Sequence, residues 1–319
     1  MSVVWPPGWP IHRDVVVIPA RDEAAHVTRC VTAFAAQGVA ALVVANACSD
    51  DTVGVARRAG AAVLVTPELN GGVGAARAAG MSFALERAPD VAMLCTADAD
   101  CWPGAGAMGA LRGALCRADA AFGRVVPDPE EFARLPRAVR VHGRLEDRRD
   151  ALLAEIGAFA EPRDHDPMPR HGQAPGALMA FRREAYTAVG GFRPLRCSED
   201  RDIARRLVLA GMRVAHPWNA AVIASCRLSG RAPGGMADTI AARVQTDLGS
   251  ETRRLAEECA RLGRLVRALR REGPEALARM AEIMAPTAAS AAGAVPLQAV
   301  PFDRPAPIPG RAEARPGMG

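Results

Sequence analysis

Asp14-Val-Val-Val-Ile-Pro19, followed by Ala40-Ala-Leu-Val-Val-Ala45, decides the fold class of this 319-residue chain. Both runs are short, apolar and rich in β-branched residues, without the alternation of a strand that has one wet face. They suit strands buried on both sides, as in a parallel sheet. Between them Val27, Cys30, Val31 and Phe34 recur at helical spacing, with Asp22 and Glu23 placed to favour the helix N-terminus. The alternation continues. Ala61–Val65 and Val91–Thr96 read as further strands, Ser49, Asp50 and Thr52 offer caps for the helix before the third, and Gly71–Glu86 opens on glycines and becomes a helix. Strand and helix in turn predict an α/β domain, a mostly parallel sheet flanked by helices.

Beyond Pro103 the pattern loosens. Glu130–Ala160 reads as helix, Gly176–Phe181 as strand, Glu199–Ala210 as helix and Ala220–Ser225 as strand. Glu161–Pro175, rich in Pro, His and Arg, reads as a mobile loop: either a lid that closes over a ligand or a solvated linker. From Met236 the chain becomes a helical extension. Leu255, Cys259, Leu262, Val266 and Leu269 form an apolar stripe at alternating four- and three-residue steps, a seam suited to a homodimer through residues 255–269. The expected organisation is a main domain over 1–235, the extension over 236–285, and an Ala/Pro/Gly tail over 286–319 with too little bulky apolar content to fold.

Composition narrows the chemistry. All 40 basic residues are arginine, so a Schiff-base lysine and a Walker-type phosphate lysine are excluded. Aromatic residues make up 4% of the chain, which leaves little to stack on bases and argues against nucleic-acid binding. The eight cysteines are dispersed, with no pair at zinc-ligand spacing. The first ten residues lack a signal-peptide pattern, and no apolar run is long enough to span a bilayer. A reduced, cytoplasmic protein is expected.

In an open α/β sheet, ligands collect at the carboxyl ends of the strands. Asp98 and Asp100 follow the fourth strand at i, i+2. Two such carboxylates either hold a divalent cation through oxygen ligands or sit in a solvated turn capping the next helix. Gly71-Gly-Val-Gly-Ala-Ala-Arg77 fails as a dinucleotide fingerprint, because arginine stands where the last glycine belongs. Arg77 there serves a base or diphosphate, or is a surface residue of an Ala-rich helix. Ser198-Glu199-Asp200 is either a helix cap or the seat of a general base, Asp200.

Taken together, Ile18-Pro-Ala-Arg-Asp-Glu23, Asn46–Thr52, Gly74–Gly80, Asp98-Ala-Asp100, Gly190-Gly-Phe192 and Ser198-Glu-Asp200 resemble the family-2 glycosyltransferases of the GT-A fold, over roughly Val15 to Gly235. The resemblance implies an enzyme that moves a sugar from a nucleotide-diphosphate donor to an acceptor hydroxyl, with inversion. It implies that Pro19, Arg21, Glu23, Asn46, Asp51, Arg77 and Asp98 bind the nucleotide-sugar. Asp100, with Asp98, would ligate Mn²⁺ or Mg²⁺, and Glu199-Asp200 would be the catalytic segment, with Asp200 as base. Two departures stand out. The family often has Asp-Asp after the second strand where Ala45 and Asn46 stand, so uracil and guanine both remain open. It also frequently has a late histidine, absent from Ala224–Arg231, where Arg227 and Arg231 either serve the phosphates or form a structural pair. His171 is a further candidate for touching an acceptor or phosphate. A nucleotidyltransferase of similar fold is the alternative enzyme, disfavoured by the missing glycine and lysine after the first strand. A scaffold that kept the fold without catalysis is the non-enzyme alternative. The sugar and the acceptor are not legible.

Overall fold

The computed structural model describes residues 2–4, 14–88, 90–230 and 235–276. Four parallel strands form its centre: β2 (Asp14–Ala20), β3 (Ala40–Asn46), β4 (Ala62–Thr66) and β5 (Met93–Ala97), in the order β4-β3-β2-β5. β1 (Ser2–Val4) pairs antiparallel with β4. Beyond β5 the direction reverses. β9 (Leu178–Phe181) lies antiparallel between β5 and β7 (Ala120–Phe122), and the two-residue β10 (Val214–Ala215) closes the eight-stranded sheet. A second sheet of three strands, β6 (Cys101–Pro103), β11 (Ala221–Ala224) and β8 (Arg124–Pro127), carries the chain past the end of β5. The α/β class with a mostly parallel centre is as expected.

The apolar runs have the meaning read from them. Alternate residues of β2 serve opposite faces. Val16 and Ile18 pack with Val27, Cys30, Val31 and Phe34 of α1 (Val27–Ala35) and with Met108 and Leu111 of α4 (Ala107–Leu115). Val15 and Val17 pack with Ala76, Met81 and Ala84 of α3 (Gly72–Arg87) and with Ile203 and Leu207 of α8 (Glu199–Leu209). Gly80 lets α3 press onto the sheet, since a Cβ there would stand 2.4 Å from Val17 and 2.6 Å from Val44.

Several expectations need correcting. The first strand runs through Pro19 to Ala20 rather than stopping at the proline. Its ladder to β5 ends at Val17 while the ladder to β3 continues to Ala20, and a proline is tolerated where one neighbour has left. The single helix read over 130–160 is two, α5 (Pro129–Arg134) and α6 (Arg137–Ala160), divided at Leu135-Pro136 because proline forces the preceding residue out of the helical region. Residues 161–175 are not a free lid. Asp166 is buried and accepts from His216 N and Nδ1, Arg170 is buried and donates to the carbonyl of Asp166, and Arg170 bridges to Pro217. Buried charges paired in this way fasten the stretch to the second half of the domain.

The apolar stripe is also spent within the chain. α10 (Gly249–Glu272) lies along α6, and all five stripe residues are buried. Cys259 donates to the Leu145 carbonyl of α6, and Arg270 pairs with Glu155. No apolar seam is left on residues 255–269 for a second copy, so the dimer expected there has no basis. α9 (Met236–Gln245) joins the same layer through Arg243, which pairs with Glu146 of α6. Residues 286–319, expected to be an unfolded tail, lie outside the described residues. No described helix is long and apolar enough to cross a membrane.

Candidate active site

The ends of β2 and β5, with the start of α8, bring together five carboxylates: Glu23, Asp98, Asp100, Glu199 and Asp200. Two guanidiniums stand among them. The first, Arg77, projects from α3 and is almost wholly buried. It donates to Asp98 Oδ1 at 2.6 Å, to Glu199 Oε1 at 3.1 Å and to the Thr96 hydroxyl, which in turn donates to the Val17 carbonyl. One side chain thus joins the ends of β2 and β5 to the first turn of α8. Burial works against its charge, but Asp98, Glu199 and Asp200 more than offset this and hold its pKa up. The carboxylates fare worse. Burial pushes Asp98 and Glu199 above their ordinary values despite Arg77, and the other acids add to the shift. Asp98 sits deep in this cluster, yet 40% of its side chain faces solvent.

Arg77 therefore does not stand ready for a base or diphosphate. The glycines before it are likewise used internally. The segment 193–196 lies on the start of α3, where Gly74 N donates to the Leu195 carbonyl and a Cβ at Gly74 would be 2.4 Å from the Arg193 carbonyl. A Cβ at Gly71 would be 2.5 Å from the Pro194 carbonyl, and Gly71 has φ +105°, which favours glycine. The glycines admit the chain's own backbone rather than a ligand, and they seat the approach to Ser198-Glu199-Asp200.

Glu199, expected among the catalytic residues, is turned inward onto Arg77 and holds position instead. Asp200 is half-buried and oriented by two backbone N–H groups, Gly176 onto Oδ2 at 2.9 Å and Arg201 onto Oδ1 at 2.8 Å. Gly176 has its own constraint: a Cβ there would meet the Arg77 guanidinium at 2.7 Å.

The second guanidinium belongs to Arg227. It grips Glu23 with two hydrogen bonds, 2.6 and 2.9 Å, and reaches Asp100 Oδ2 at 2.9 Å. Strand register brings it there. β11 pairs with β6 so that Ala224 faces Cys101, and Ser225 N donates to the Asp100 carbonyl. Burial raises the Asp100 pKa, with Arg227 opposing it and Glu23 adding to it.

The remaining candidates lie apart from this cluster in role. Pro19 is half-buried near the end of β2. Arg21 is exposed and pairs with Glu68. Asn46 is buried, and its side-chain oxygen accepts from Leu69 N, tying the end of β3 to the loop before α3. Asp51 is exposed and pairs with Arg58 of its own helix, α2 (Thr52–Arg58). Its neighbour Asp50 accepts from Ala24 N, and Asp22 accepts from Ser49 and Asp50, which staples the loops after β2 and β3 together. His171 does not offer a free nitrogen. Its Nε2 donates to the Phe122 carbonyl and its Nδ1 accepts from Gln173 N, while burial, reinforced by His216, lowers its pKa to about 3. Arg231 lies outside the described residues.

Thr96, Gly176 and the segment 193–196 were missed in the sequence. Thr96 is one hydroxyl at the end of an apolar strand, and nothing local marks the other two.

Asp98, Asp100 and Cys101 each offer a ligand atom within 4.8 Å of one another. Arg77 is bound to Oδ1 of Asp98 and Arg227 to Oδ2 of Asp100, so each carboxylate keeps an oxygen outside these pairs. Burial, and the acids beside it, raise the Cys101 thiol well above its ordinary value, which disfavours its thiolate. Hard carboxylate oxygens suit Mn²⁺ or Mg²⁺, and the donor set fits the expected cation.

A mostly parallel α/β sheet thus gathers acids at its strand ends, around a potential cation site. The Glycosyl transferase family 2 profile matches residues 15–190, more than half of the chain, and the protein belongs to that family. It is thus a glycosyltransferase, and the nucleotidyltransferase alternative is set aside. No curated protein matches the chain. Among solved structures it is similar to the mannosyltransferase PcManGT from Pyrobaculum calidifontis in complex with GDP-Man and Mn²⁺, at 19% identity over 88% of this chain and 81% of that one, with TM-score 0.45. It is also similar to S. aureus TarS 1–349 in complex with UDP-GlcNAc, at 14% identity over 78% and 71% of the two chains, with TM-score 0.48.

Proposed function

We propose that the protein transfers a sugar from a nucleotide-diphosphate donor to an acceptor hydroxyl, with inversion at the anomeric carbon and the help of a divalent cation. The observation that carries this reading is the pairing of Asp98 and Asp100, each with one oxygen outside the arginine pairs (that of Asp100 accepting only a 3.7 Å bond from the Cys101 thiol), beside an Asp200 whose carboxylate is aimed by two backbone N–H groups. Mn²⁺ or Mg²⁺ held by Asp98 and Asp100 would stabilise the negative charge of the departing nucleoside diphosphate. Asp200 takes the proton of the acceptor hydroxyl as its oxygen bonds to the anomeric carbon. The bond from that carbon to the diphosphate breaks, and its electron pair leaves with the nucleotide. Arg77 and Glu199 act one step back, keeping Asp98 and the first turn of α8 in register.

The test is a thermal-shift panel of UDP and GDP, with and without Mn²⁺. A ligand at a hundred times its Kd stabilises by about 2.7 kcal/mol, which a melting curve resolves. One nucleotide should raise Tm only when Mn²⁺ is present, and Asp100→Ala should remove that rise. Asp200→Asn should keep it while release of nucleoside diphosphate from the donor falls by about 10²–10⁴-fold. Metal-dependent binding that survives Asp100→Ala would remove the metal assignment. Unchanged turnover in Asp200→Asn would reduce Ser198-Glu-Asp200 to a helix cap.

A further inference from the structure

Arg227 is more tightly bound than a surface arginine waiting for phosphate. Both oxygens of the buried Glu23 hold it, and it lies 2.9 Å from one oxygen of Asp100, the carboxylate read above as a metal ligand. A guanidinium at hydrogen-bond distance from a carboxylate does for its charge what a cation ligand does. The pose is also incomplete. Among the described residues Arg227 Nε is buried without a hydrogen-bond partner and the guanidinium is held by the two carboxylates, while 21% of the side chain still meets solvent. Buried donors are rarely left unpaired, and a pose that leaves one is easily exchanged for another that satisfies it. The wider cluster favours exchange over loss. Glu23, Asp98, Asp100, Glu199 and Asp200 outnumber Arg77 and Arg227 by three when all are ionised, and His26 also acts on Asp100 from the start of α1. An incoming divalent ion relieves this excess, whereas it is repelled by a guanidinium still seated on Asp100.

We propose that Arg227 competes with the divalent cation for Asp100 in the free protein and leaves Asp100 for the diphosphate of the donor, so that metal and nucleotide bind with positive coupling set by this one residue. The inference rests on the glycosyltransferase reading for the identity of the nucleotide, but the competition itself concerns only Mn²⁺ and Arg227. Arginine suits the second position because its planar fork matches phosphate oxygens as well as it matches Glu23. By linkage, whatever the nucleotide does for the metal the metal does equally for the nucleotide.

The experiment is a calorimetric titration of the full chain with Mn²⁺ alone, then with UDP or GDP present, in wild type and in Arg227→Gln. Wild type should bind Mn²⁺ weakly alone and about 5- to 150-fold more tightly with the nucleotide, the usual span of a coupling between two sites. Arg227→Gln should bind Mn²⁺ alone more tightly than wild type and lose most of the enhancement by nucleotide. Arg227→Lys keeps the charge but cannot span Glu23 and Asp100 together, and should fall between the two; it also carries the test if the glutamine variant does not fold. Arg29→Gln removes an arginine that pairs with Asp128 instead, and should change nothing. If neither variant at 227 gains affinity for Mn²⁺ alone, or if the coupling persists without the arginine, the proposal is wrong. If they gain it while wild type binds neither UDP nor GDP, the competition stands and the nucleotide-sugar reading fails instead.

Discussion

Replacing Arg77 by methionine keeps most of the side-chain bulk and removes the charge that joins three elements. In the variant Glu199, 5% exposed, loses the one cation paired with it among the described residues, and the Thr96 hydroxyl loses a donor in a fully buried setting. Breaking a buried ion pair from one side typically costs about 3–5 kcal/mol. Asp98 is given little weight in that figure, because water reaches 40% of its side chain and screens it. The loss should depend on pH. Glu199 already titrates above its ordinary value because of burial, and without Arg77 its pKa rises further. A carboxyl whose folded pKa exceeds its unfolded one binds more protons in the folded state, so stability falls as pH rises above the unfolded value of about 4.3. The penalty of Arg77→Met should therefore be near its full size at pH 7 and shrink toward pH 4. Urea denaturation of both proteins across that range measures it. A deficit below about 1 kcal/mol at pH 7, or one of constant size at every pH, would refute the assignment of Arg77 as the buried tie between α3, β5 and α8.

Two further outcomes are expected. Gly74→Ala places a Cβ 2.4–2.7 Å from backbone atoms of Arg193 and Leu195, so segment 193–196 must move, at a cost of about 1–3 kcal/mol. A lower Tm with reduced donor turnover is predicted, and a Tm unchanged from wild type would mean that the segment does not rest on α3. His171 should remain neutral from pH 5 to 8, because its folded pKa lies near 3 against an ordinary 6.5; the stability it confers is present above 6.5 and is lost as pH falls toward 3. Proton NMR of the imidazole checks this, and a titration near pH 6.5 would show the ring to be free.

What was legible in the sequence was local or periodic. Runs such as Ala40–Ala45 are apolar at every position because both faces of the strand are covered, so they announce a parallel sheet without any partner being known. Asp98-Ala-Asp100 and Ser198-Glu-Asp200 are legible because short spacing along one chain limits where their carboxylates can lie. The tertiary structure decided what depends on distance in sequence. Arg227 meets Glu23 across 204 residues, through the pairing of β11 with β6, and no local pattern encodes that register. Arg77 meets Glu199 across 122 residues, where Gly71 and Gly74 receive the backbone of 193–196, and no local pattern encodes that approach either. The apolar stripe of α10 reads the same whether it meets a second copy or α6, since periodicity gives the width of a buried face and not its partner. For the same reason His171, an exposed loop residue by composition, became a buried neutral one: burial is a property of what packs around a residue, and that is set only when the whole chain has folded.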